Sequence, residues 1–320
     1  MKKFVAITAA SVCAAFTHSA SASCGSAFCV VNTDWSSQGS WVEQGMRFDF
    51  RFEAIDLDQP RAGTDRVAAG QIPAHHDEVE TKNRNWVANA DWNLAPTWGL
   101  SLSIPYVDRE HVHIHNHQGE KLLETWRFRD LGDVRLTARH ELFASRESPE
   151  RQSSAGVMLG VKLPTGKHDV ANADGDVAER TLQPGTGTTD LLVGGYWHGA
   201  APLRDVSWFA RAQGVIPANS REDFRPGRQL LLDVGGRYAA GRDVGLMLQL
   251  NYIAKGRDSG AEAEPEDSGQ RQLWVSPGVS WNVGRNAQLY AFAQFPLYQH
   301  VNGVQLTADW SALAGVSWKF

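Results

Sequence analysis

The chain has 320 residues with 31 Lys and Arg against 36 Asp and Glu, a net charge of -5 that gives no case for nucleic acid as a partner. Mean hydropathy is -0.35, and beyond the first 22 residues no apolar run is long enough for a membrane-spanning helix. A barrel strand needs only about ten residues of alternating pattern, half of them polar, so these values leave a membrane barrel open.

Lys2 and Lys3 precede an apolar run from Phe4 to Phe16 and small residues ending in Ala20-Ser21-Ala22, the order of a secretory signal peptide over 1–22. Ser21 stands where a lipoprotein signal has a large aliphatic residue, which argues against acylation at Cys24. Cys13 leaves with the signal. Cys24 and Cys29 remain in an oxidising compartment and are expected to form a local disulfide. Residues 23–43 are read as a plug or a periplasmic tail. Residues 44–320 are read as one domain, since no Pro/Ser/Gly linker divides them.

Met46, Phe48, Phe50 and Phe52 alternate with Arg47, Asp49, Arg51 and Glu53, so an extended strand here has one oily and one charged face. Similar alternation predicts strands near 44–56, 82–94, 98–107, 131–142, 154–163, 189–199, 206–216, 229–239, 244–255, 271–283, 287–298 and 306–320. Their connections alternate in length. Those at about 57–81, 108–130, 164–188 and 256–270 are long, whereas Ala95-Pro96-Thr97, Ala240 to Asp243 and Gly284-Arg285-Asn286 are short. The fold expected is all-β: a single antiparallel transmembrane barrel of about 12 strands, with long extracellular loops and short periplasmic turns. The outer membrane of a Gram-negative bacterium is the expected location. The oily faces meet lipid, and Arg47, Asp49, Arg51, Glu53, Arg135, Arg139, Glu141, Asp233 and Arg237 line the lumen.

Histidine is concentrated in two of the long connections. His75 and His76 fall in the first, and His111, His113, His115 and His117 alternate in the second, where neighbouring imidazoles could share a Zn or Cu ion. Asn172-Ala173-Asp174-Gly175-Asp176 lacks the spacing of a calcium loop and is read as a turn. Pro184-Gly185-Thr186-Gly187 has no following Lys and is no phosphate loop. No Gly-x-Ser-x-Gly occurs, and His140 has no Ser or Asn partner that the sequence places beside it, so no enzyme is expected. At the end of the chain Trp310, Ala312, Ala314, Val316, Trp318 and Phe320 occupy alternate positions. A terminal Phe after such a strand resembles the signal read by the barrel-assembly machinery.

Three stretches carry a family resemblance: Leu131-Gly132-Asp133-Val134-Arg135-Leu136, Gly160-Val161-Lys162-Leu163-Pro164-Thr165-Gly166, and Leu182-Gln183-Pro184-Gly185-Thr186-Gly187 with Asp190. In this order they resemble the family of outer-membrane barrels named for a meta-pathway of phenol degradation, over roughly residues 45 to 320. The resemblance implies a barrel associated with uptake of small, often aromatic compounds. The expected function is therefore a channel or transporter for small solutes. The competing class is a non-conducting, surface-binding or structural barrel with a plugged lumen.

Overall fold

The computed structural model describes residues 45–320 apart from 73–76, 118–119, 146–151 and 202–204, together with residue 33. The signal segment, Cys24, Cys29, His75 and His76 lie outside the described residues, as do the side chains of His115 and His117.

Among the described residues the strands are β1 (Gly45–Leu57), β2 (Gln59–Ala62), β3 (Asp65–Arg66), β4 (Asp77–Ala95), β5 (Trp98–His117), β6 (Glu120–Leu131), β7 (Val134–Ser145) and β8 (Ser153–Leu163). The second half adds β9 (Asp190–Ala200), β10 (Val206–Pro217), β11 (Gln229–Ala239), β12 (Val244–Lys255), β13 (Gln270–Val283), β14 (Ala287–Val301), β15 (Val304–Thr307) and β16 (Ser311–Lys319). Thirteen strands share one antiparallel sheet. Because β1 pairs with both β4 and β16, and β4 with β5, that sheet closes on itself. Only β6, hydrogen-bonded to β5 alone, stands outside the ring, which leaves a closed barrel of 12 strands. Closure removes the open edge that lipid would not tolerate.

Alternation along each strand sorts side chains into two environments. Phe48 and Phe50 are 46% and 48% exposed, while Asp49 between them is 3% exposed. The outer surface is accordingly apolar, and only a bilayer can cover so wide a belt. At the end where β4 turns into β5, β9 into β10 and β13 into β14, outward Trp92, Trp98, Trp197, Trp208, Trp281 and Trp318 form an aromatic girdle. Towards the other end the outer face changes from Trp86 and Tyr106 to ion pairs: Arg127–Glu110 at 2.8 Å, Arg129–Asp108 at 3.2 Å and Arg84–Asp56 at 2.5 Å. That change marks the outer limit of the bilayer.

Inward aromatic rings lie flat on the wall. Tyr290, Phe292, Phe209 and Tyr196 cover Gly315, Gly278, Gly235 and Gly156, positions where a Cβ would collide with the ring. Glycine here lets a large ring stay out of the lumen.

Several expected boundaries differ: the connection expected over 57–81 carries β2, β3 and the outer start of β4. Residues 108–130, expected as a loop, are an upright hairpin in which the outer halves of β4 and β5 pair with each other and β5 pairs with β6, from Asp77↔Ile114 to His117↔Glu120. The hairpin rises above the bilayer, so its outer face carries ion pairs in place of the oily side chains of a wall strand and reads as a loop. The last wall strand begins at Ser311 rather than 306, because β15 turns aside to pair with β2, which also pairs with β3, in a small sheet at the outer mouth. Ile55, Leu57, Trp274, Leu306 and Ala308 pack beneath that sheet. The chain between β14 and the last wall strand thus carries a strand of its own.

Candidate functional site: a chamber beneath the third outer loop

Residues 164–189, between β8 and β9, fold inward over the lumen, and the three motif stretches meet where they are held. Asp133, in the two-residue link between β6 and β7, accepts from the backbone N–H of Gly166 (3.1 Å) and Thr186 (3.0 Å) and from the Thr186 hydroxyl (3.1 Å). Lys162 on β8 lies 3.1 Å from Asp133 and 2.8 Å from Asp190, and also donates to Thr186 Oγ1. Thr188 donates to Asp190 (3.0 Å). All three charged side chains are at most 7% exposed, so the attraction is little screened and the hydrogen bonds satisfy what burial would otherwise leave unpaired. Gly166 and Gly185 touch backbone to backbone; a Cβ on Gly185 would fall 2.6 Å from the Gly166 carbonyl oxygen. Only glycine lets the two ends of the loop close so tightly.

The underside of the β5–β6 hairpin holds the rest of this cap. Trp126, Phe128, Ala178 and Leu182 form one apolar cluster, and the Trp126 indole donates to the Asp176 carbonyl (2.9 Å). Arg109, 1% exposed, donates to Asn83 Oδ1 (2.6 Å) and to the Leu182 carbonyl; burial alone lowers it to about 10, so it stays charged at neutral pH. Inside the loop, Gln183 braces Val170 and Ala178 through their backbones. The stretch Asn172 to Asp176 is a turn, with Asn172 Oδ1 accepting from Asp174 and Asp176 N–H. Arg180 ties the cap to the next outer loop through Glu222 (2.7 Å) and lies over the Phe224 ring at 5.5 Å.

Beneath the cap lies a chamber open to solvent. Arg51, Glu53, Arg135, Lys162 and Lys255 line its wall, Arg180, Gln183, Pro184 and Thr186 its roof, and Val87, Pro105, Val215, Phe224 and Pro226 give it apolar surface. Its mixed charged and apolar lining suits a small molecule.

Of the residues the sequence singles out, Arg51, Glu53 and Arg135 lie at this chamber. The others sit on the inner face elsewhere. Asp49 accepts from Tyr290 (2.8 Å), Ser317 (2.6 Å) and Asn89 (3.1 Å); Arg47 is 5% exposed. Arg139 donates to Asn93 (2.7 Å) and Tyr196 (3.2 Å), Ser154 donates to Glu141, Asn251 donates to Asp233 (2.8 Å), and Arg237 faces Ser280. His111 and His113 turn under the hairpin against Trp126; His111 Nδ1 is 2.8 Å from Thr81 Oγ1, and His113 Nε2 is 3.1 Å from Glu124. Among the described residues no three His, Cys, Asp or Glu side chains converge as a metal site would require. Sequence reasoning quoted Asp133, Lys162, Thr186 and Asp190 as family signature without assigning them to a site, and it missed Arg180, Phe224 and Lys255. The recurrence of charged and glycine positions within the three motifs is the signal that could have found the first group.

The family model described as "Putative MetA-pathway of phenol degradation" matches residues 74–308. The chain belongs to this family. The match includes all three stretches that build the knot, so the family signature here is the fastening of an inward loop. An outer membrane channel from Pseudomonas putida F1 has a similar fold: TM-score 0.61 at 11% identity, covering 87% of this chain and 96% of that one. More distant likeness extends to the NanC porin, TM-score 0.47 at 11% identity over 85% and 100% of the two chains. It also reaches the translocator domain of autotransporter NalP from Neisseria meningitidis, TM-score 0.43 at 9% identity over 87% and 89%. No curated protein shows significant sequence similarity. With its closed wall, apolar belt and aromatic girdle, this member of the family is an outer-membrane β-barrel.

Proposed function

We propose that the protein conducts small solutes across the outer membrane through the chamber beneath the 164–189 cap, and that the cap sets the width of the path. The observation that carries this is the knot itself. A buried lysine bound to two carboxylates and a threonine holds a loop across the lumen above a chamber lined by charged and apolar side chains. A family description referring to phenol degradation favours aromatic solutes. Phe320, packed edge-on against Phe48 at 5.6 Å, suits recognition by the barrel-assembly machinery. Purified protein in planar bilayers is expected to give small, steady openings; a folded but silent protein would refute the proposal.

One observation favours the non-conducting alternative. Asn251, Ser276, Gln294 and Ser311 form a hydrogen-bonded row across β12 to β16, and each is at most 1% exposed. That side of the lumen is filled, so any path runs past Arg51 on the neighbouring β1 and Arg135 on β7 across the barrel.

A further inference from the structure

We propose that Arg109 and Asn83 bind a small monovalent anion, of which chloride is the type, between the β5–β6 hairpin and the cap. The ion is structural, and its site stands whether or not the barrel conducts.

A buried guanidinium without a counter-ion is the first ground. Around the chamber Lys162, Arg180 and Lys255 each have a carboxylate partner, in Asp133 and Asp190, Glu222 and Asp258. Arg109 is more deeply buried than any of them needs to be, at 1% exposed, yet among the described residues no carboxylate pairs with it, and none opposes the effect of burial on its pKa. Glu78 and Glu124, which share the inner face of the hairpin, stand opposite His113 in register, about 13 Å along β5 from Arg109. Each is already engaged, Glu124 by His113 at 3.1 Å and Glu78 by the Leu306 N–H at 3.2 Å. A charge so enclosed calls for an opposite one.

Orphaned donors are the second ground. Arg109 Nε donates to Asn83 Oδ1 at 2.6 Å and Nη1 to the Leu182 carbonyl, while Nη2 has no acceptor among the described residues. Asn83, also 1% exposed, has its amide nitrogen unpartnered in the same sense. The two orphaned nitrogens belong to planar groups already joined by the 2.6 Å bond, so an ion seated beside that bond accepts from both. His111 Nε2, two positions along the same face, is a third buried nitrogen without a partner, and Asn85 Oδ1 is an orphaned acceptor that suits a water beside the ion. Water alone would satisfy the N–H groups and leave the charge of Arg109 unanswered. Val107 beside it on β5, Phe128 opposite it in register and Leu182 of the cap are each at most 1% exposed, an enclosure that suits a monatomic ion and not an organic acid. One positive charge calls for one negative charge.

Crystals of the protein grown in sodium bromide test this directly, because bromide replaces chloride and scatters anomalously. An anomalous peak is expected within hydrogen-bond reach of Arg109 Nη2 and Asn83 Nδ2; water alone at that place, or no density, would overturn the proposal. In solution, hydrogen exchange at the Trp126 and Phe128 amides should slow saturably as sodium gluconate is replaced by sodium chloride at constant ionic strength, by about tenfold once chloride reaches about ten times its Kd. Arg109→Met removes the charge and should remove the chloride dependence. Asn83→Asp sets a carboxylate of the chain itself beside Arg109, so its exchange should be slow with or without chloride. Heat-modifiable mobility on gels confirms that each variant barrel is folded, and Asn83→Asp decides the matter should Arg109→Met fail to fold. Chloride dependence unchanged in a folded variant, or bromide in the crystal with no chloride dependence in solution, would mean binding at crystal concentration only or an origin elsewhere, and would overturn the proposal.

Discussion

Lys162 and Asp133 lie 3.1 Å apart although β7 and most of β8 separate them in sequence, and this pair fastens the 164–189 loop inside the barrel mouth. Each is nearly buried, so neither can lose the other without leaving a charge poorly compensated. Asp133→Asn should therefore cost the cap about 3–5 kcal/mol of local stability while the wall strands keep theirs. Trypsin cleavage at exposed Lys167 reads this, because cleavage tracks the population of the opened loop. A double-mutant cycle with Lys162→Met should be strongly non-additive; additive effects would mean that the two residues act separately.

The wall makes a different prediction. Phe50 is nearly half exposed and stacks on Trp86 at 5.3 Å on the lipid face, whereas Arg51 points inward to Glu53. Phe50→Arg should destabilise folding into lipid vesicles by about 2–4 kcal/mol. Arg51→Ala should leave folding intact and change conductance. Denaturant titration in vesicles separates the two, and the opposite ranking would reverse the assignment of faces.

Acid should loosen the hairpin. An imidazole in an unfolded chain titrates near pH 6.5, but burial, assisted by the neighbouring charges of His113 and Arg109, pushes His111 down to about 3 in the fold. The opened hairpin thus takes up a proton that the closed one refuses. Its contribution to stability is complete above about pH 6.5 and falls as the pH drops towards 3. Hydrogen exchange of β5 and β6, corrected for intrinsic rates, should show faster opening at pH 4.5 than at pH 7. In His111→Gln, which can still bond Thr81 but does not titrate, the acid effect should largely vanish; an unchanged acid effect would place its origin elsewhere.

Phe292 lies over Gly278, where a Cβ has no room. Gly278→Val should push the ring off the wall into the lumen, lowering conductance and costing about 1–3 kcal/mol by overpacking. Conductance equal to wild type would show that the ring finds another place along the wall.

The wall was legible because bilayer strands advertise themselves. Phe48, Phe50 and Phe52 on one side of β1 and Asp49 on the other leave little choice of face, and the same holds from Ala312 to Trp318 on β16. The hairpin above the membrane was not legible, because Asp108 and Glu110 face outward as ion-pair partners of Arg129 and Arg127, so the outward apolar face that marks a wall strand is missing there and only the inner face, with Trp126 and Phe128, is apolar. The switch at Val304–Thr307 was hidden for a related reason: its alternation is genuine, but its partner is β2 rather than the wall. The knot was visible as motifs yet unreadable as a site, since Asp133, Lys162 and Asp190 come together only through strand register.

Single-channel conductance in planar bilayers, comparing wild type with Asp133→Asn under the same salt, tests most directly whether the fastened cap governs passage. Release of the cap should raise the unit conductance several-fold and make the current noisier as the loop moves. An Asp133→Asn barrel that is folded, shows a loosened cap by trypsin, and still carries the wild-type current would contradict the account.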